Sequence, residues 1–146
     1  MQDVCKLWAE EALERQPILL QKIAQATQLP LAEVPLLLEE LMRFLYLIGQ
    51  TGEHLTPSHG VDLAWHELIL CTRYYAEFCE GAFGRFIHHH PGGERSAHYQ
   101  AFKKTHHLYQ QVFGQTPPPQ YWGRVIAPFA DAADCGLPKG EEETKD

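Results

Sequence analysis

The stretch Asp62–Glu80 constrains this chain more than any other. It contains neither proline nor glycine, and its apolar residues recur at helical rather than alternating spacing. The spacing predicts one α-helix. Ser58 just upstream suits an N-cap, Asp62 sits near the positive end of the helix dipole, and Gly81 supplies a stop. On a helical wheel Trp65, Leu68, Thr72, Tyr75 and Cys79 form one stripe, flanked by Asp62, His66, Ile69 and Arg73. The rest of the chain offers partners of the same kind. Helices are expected over Asp3–Arg15, with Asp3 as N-cap, and from Pro17 to Thr27. A third, heavily apolar one runs over Pro35–Ile48 and closes at Gly49. A further one is capped by Ser96, carries Tyr99, Phe102, His106, Tyr109 and Phe113 inward, and ends at Gly114. The fold expected is all-α: a single domain of about five helices over residues 1–138. Pro35–Ile48 and the D-x-x-W-H helix form the core pair, Ser96–Phe113 packs across them, and residues 139–146 form a disordered acidic tail.

The same stretch carries the unusual chemistry. Asp62 and His66 are four residues apart, hence neighbours on a helix surface, where a carboxylate can fix an imidazole's tautomer and raise its basicity. The connection G-A-F-G-R-F-I-H-H-H-P is compatible with a tight return that brings His88, His89 and His90 back toward the helix. Pro91 biases His90 to extended geometry, and in an extended triplet at most two of the three rings can share a centre. Imidazole is the commonest ligand of zinc and related ions. The candidate ligands are therefore Asp62, His66, His88, His89 and Cys79, with Trp65, Thr72 and Tyr75 lining the neighbouring wall. A metal-free polar cluster and a catalytic histidine without metal are the competing interpretations. No C-x-x-C or H-E-x-x-H spacing is present. His59 lies seven residues before His66, within reach of the same centre. His54, His98 and His107 are expected to face water, His106 to be a core histidine, and Cys135 to be a weak extra ligand candidate.

The run L-T-P-S-x-x-V-D-x-x-W-H-x-x-I-L-x-T-x-x-Y-x-x-F-C, followed by G-R-F-I-H-H-x-P, resembles the conserved block of the glycine-rich domain-containing protein-like family, and its short bacterial members in particular. The resemblance covers Leu36 to Pro91 and extends weakly to Gly114. Its motif falls on Asp62, Trp65, His66, Thr72, Tyr75, Cys79, His88, His89 and Pro91. Two features depart from the family: Leu68 stands where plant members often have a second histidine, and the glycine-rich tail is absent. The resemblance implies no particular activity.

Charge narrows the partners. A net charge of −7 argues against nucleic-acid and anionic-membrane surfaces. The segment from Lys22 to Val34 resembles the helix-turn-helix of small transcription regulators. The helix after it, however, offers Arg43 against Glu39 and Glu40, which is poor chemistry for phosphates and base edges. No apolar run approaches the roughly 20 residues of a membrane span. The four cysteines show no paired spacing, which with no signal peptide leads to reduced thiols and a cytoplasmic location as the expectation. The composition (45 % hydrophobic, 11 % aromatic) is that of a chain that folds. Aromatics after Pro117–Pro119 are expected to strap that run onto the domain. The function expected is a small accessory or binding protein with a histidine-based metal or polar site, its partner a protein or small molecule. The alternatives are a metal-dependent hydrolase using the same residues, and an interaction module whose histidines are purely structural.

Overall fold

The computed structural model describes residues 2–90, 94–123 and 125; the tail expected at 139–146 and Cys135 lie outside them. The described residues are all-helical: α1 (Gln2–Arg15), α2 (Ile18–Thr27), a 3-10 turn (Leu31–Glu33), α3 (Val34–Thr51), α4 (His59–Leu70), α5 (Thr72–Phe83), α6 (Arg95–Phe113) and the single-turn α7 (Pro119–Trp122). None of these helices is long and apolar enough to cross a membrane.

α3 is the axis of the molecule and touches α1, α2, α4, α5 and α6. Its side chains explain this. Leu37, Leu38, Leu41, Met42, Phe44, Leu45, Leu47 and Ile48 are all buried, more than one face of a helix can hold, so neighbours must cover it on several sides. Gly49 does not end the helix, contrary to the sequence expectation; Gly52 does, at φ 70°, with its N–H on the Ile48 carbonyl. Gly49 is instead a close approach, since a Cβ there would lie 2.4 Å from Phe83 Cδ1. Phe83 joins Trp8 and Phe78 in an edge-to-face aromatic group that fastens α5 to α1.

The expected single helix over Asp62–Glu80 is two. At Cys71 the backbone swings to φ −82°, ψ 69°; its N–H closes a tight turn on the Leu68 carbonyl, and its own carbonyl accepts from Tyr75 N–H. No proline or glycine announces this break. It re-aims the second half, so that Trp65 and Leu68 on α4 and Tyr74, Tyr75 and Cys79 on α5 are all buried while Thr72, expected on the same stripe, is exposed. α5 continues past Gly81 and ends at Gly84. α6 starts from Glu94 rather than Ser96. Ser58 is the expected N-cap: its oxygen accepts from Val61 N–H at 3.2 Å and donates to the Tyr121 carbonyl at 2.7 Å.

A buried polar network ties α3 to α6 and α7. Glu40 accepts from Tyr109 and from Trp122 Nε1, both at 2.8 Å. Arg43 donates to Glu40 at 2.6 Å, to Tyr109 at 2.9 Å and to Glu39 at 2.9 Å. Burial raises the Glu40 pKa above the usual carboxylate value, against the opposing pull of Tyr109, Arg43 and Trp122. The strap expected after the proline run is therefore real: Trp122 is fully buried against Phe44 and Tyr109.

Candidate metal centre

The first element of the site is the N-terminal turn of α4. The Ser58 cap fixes that turn, which presents Asp62 inward and His66 one turn further on. Asp62 is 3 % exposed. The second element is the extended segment after α5, which does return to α4 as expected. In it Ile87 is buried, His89 is largely covered, and Phe86, His88 and His90 on the alternate positions are exposed.

What holds this segment in place is Tyr75. Its hydroxyl donates to the Ile87 carbonyl at 2.6 Å and accepts from Trp65 Nε1 at 3.0 Å, so one phenol locks α4, α5 and the returning segment together. Burial, then Cys79, raise the Tyr75 pKa and keep this hydroxyl protonated, although the Trp65 N–H opposes them. The His89 ring then rests against Trp65, with centroids 4.4 Å apart.

Asp62, His66 and His89 converge. His89 Nε2 lies 2.6 Å from Asp62 Oδ1, His66 Nε2 lies 3.2 Å from Asp62 Oδ2, and the two Nε2 atoms are 3.0 Å apart. The three residues form a group whose ligand atoms all lie within 4.8 Å of one another. The His66 side chain is 44 % exposed, against 10 % for His89 and 4 % for Asp62, so the group has a closed floor and one face toward solvent.

The structure leaves the other expected ligands elsewhere. His88 turns away and its ring meets Phe86, centroids 4.7 Å apart. Cys79 is fully buried beside Tyr75 and the Ile87 N–H, where burial raises its pKa and keeps it a thiol. Of the three wall residues, Trp65 and Tyr75 frame the group; Thr72 is exposed at the start of α5. His59 lines a separate cavity with Tyr121 and Trp122.

One histidine departs from expectation on the other side of the segment. His98 is buried, and His54, His88, His90 and His98 line a cavity of about 190 Å³. On α6 Phe102, Tyr109 and Phe113 are buried as expected, while His98 and Thr105 are buried where Tyr99 and His106 were expected and are only half-buried.

No curated protein and no solved structure matches this chain. The span 11–112, which matches a family model, includes Asp62, His66 and His89 and stops short of α7. Residues 11–112, most of the chain, match the sequence model of the UCP032817-like family, and the chain belongs to that family.

Proposed function

We propose that Asp62, His66 and His89 bind a divalent transition-metal ion such as zinc, and that the protein is a small metal-binding accessory protein. The supporting observation is the convergence of two imidazole nitrogens on the two oxygens of one buried carboxylate. A neutral imidazole nitrogen carries either a proton or a lone pair. If His66 and His89 both carry a proton on Nε2, two N–H groups face each other at 3.0 Å. If only one does, the other nitrogen turns its lone pair on a carboxylate oxygen, at 2.6 or 3.2 Å. With the carboxylate ionised, each of these assignments leaves one edge repulsive, whereas a cation between the groups makes all three contacts attractive. A tetrahedral ion with bonds of about 2.0–2.1 Å separates its ligand atoms by about 3.3 Å. The 3.0 Å edge between the two imidazole nitrogens therefore needs little movement; each imidazole meets a different oxygen of Asp62, and the 2.6 Å contact between His89 and Oδ1 must open.

Protein purified without chelator should carry close to one equivalent of metal by elemental analysis. His89→Ala and Asp62→Asn should lose it, while His88→Ala and Cys79→Ala keep it. Equal metal content in all four variants, or none in the parent after incubation with zinc, would remove the assignment.

One feature favours a second reading, metal-dependent hydrolysis. Three protein ligands with a solvent-facing edge at His66 leave a coordination position for water, the arrangement of catalytic rather than structural zinc sites. Zinc-loaded parent protein would then hydrolyse activated esters or phosphoesters, and His89→Ala would not.

A further inference from the structure

The cavity behind the returning segment has a composition at odds with the rest of the molecule. The chain carries a net charge of −7. Yet among the described residues the cavity wall, formed by the end of α3, the loop after Gly52, the segment from Arg85 to His90 and the start of α6, holds four imidazoles and one guanidinium against the one carboxylate of Glu53. That carboxylate is already engaged by Lys104. The imidazoles crowd one another: the His54 and His90 rings are 5.7 Å apart and those of His88 and His90 6.3 Å apart. Burial, then the neighbouring His90 and His98, lower the His54 pKa. Trp65, Ile87, Leu55 and Phe86 supply apolar wall between the polar groups. Basic and polar side chains set into an apolar lining are the pattern of a small-ligand site.

We infer that this cavity, lined by His54, Arg85, His88, His90 and His98, binds a small oxyanion, a phosphate or a carboxylate. The neutral imidazoles of His54, His88 and His90 each carry one N–H donor. The Arg85 guanidinium brings five, one of which reaches the Ile48 carbonyl at 3.0 Å and steadies the side chain. The volume, about 190 Å³, equals that of about six liquid waters, enough for an inorganic anion or the acidic head of a small metabolite and too little for a nucleotide. His89 faces α4 while His88 and His90 face the cavity, so the anion site and the metal triangle lie on opposite faces of one extended segment, and this inference stands independently of the metal assignment.

The test is calorimetric titration of the parent protein at pH 7 with inorganic phosphate and, separately, with acetate. Saturable 1:1 binding of either anion is expected, the stronger one identifying the class. His54→Ala, at an exposed loop position, and Arg85→Gln should each weaken it by about tenfold, the loss of one charge-assisted hydrogen bond. Asp62→Asn should leave it unchanged, which separates this site from the metal triangle. No saturable binding of either anion, or binding that His54→Ala and Arg85→Gln leave intact, would overturn the inference.

Discussion

His89 is held by what surrounds it rather than by its own bonds alone. Its ring lies on Trp65, Trp65 is fixed by Tyr75, and Tyr75 also holds the Ile87 carbonyl two residues before it. Removing that phenol oxygen strands a buried indole N–H and a buried carbonyl. Tyr75→Phe should therefore destabilise the fold by about 1–3 kcal/mol in chemical denaturation. It should also loosen the metal site, seen as weaker metal retention under chelator competition; a variant with parental stability and metal affinity would show that Tyr75 merely fills space. At this scale the sequence was informative about identity and poor about direction. The four-residue spacing of Asp62 and His66 and the alternation of an extended triplet both follow from backbone geometry. Which alternate position faced α4 did not, because it depends on how the segment leaves Gly84 and on where Tyr75 anchors it. Cys79 was drawn into the candidate set by a helical wheel that assumed one continuous helix.

Among the elements, α4 and α5 show the limit of periodicity. Their apolar spacing is helical on both sides of Cys71, and the break there changes direction without a proline or glycine. Gly49 shows the converse: a residue that commonly ends helices sits inside one because Phe83 needs the room. The join of α3, α6 and α7 is legible only in three dimensions, since Glu40 meets Tyr109 and Trp122 from far along the chain. It has a pH signature. A carboxyl whose folded pKa is raised binds its proton more tightly folded than unfolded, so its contribution is fully present below its ordinary value, near 4.5, and is lost as pH rises through the raised folded value. The stability of the parent relative to Glu40→Gln should therefore be greatest at or below pH 4.5 and decline above it. A relative stability that grows over this range would mean the ion pair with Arg43 outweighs burial.

For the molecule as a whole, the all-helical class was readable because every apolar run repeats at the helical period, and the central role of α3 because it is apolar on too many sides to be a surface helix. The number of helices was not, since the added ones arise from the Cys71 break and from the single turn at Pro119–Trp122. On α6 Phe102, Tyr109 and Phe113 were placed inward correctly, but Tyr99 was chosen over its neighbour His98, which hid the cavity on the far face of the returning segment. That segment gives the molecule its plan: one strand-like stretch between helices, presenting His89 to one side and His88 and His90 to the other. The metal assignment on the first side is tested most directly by X-ray absorption at the zinc edge of the zinc-loaded protein. Nitrogen and oxygen neighbours at about 2.0–2.1 Å, with the multiple-scattering signature of two imidazoles and no sulfur at about 2.3 Å, are the expected result. A sulfur shell, or a spectrum unchanged in His89→Ala, would place the metal elsewhere and contradict the account.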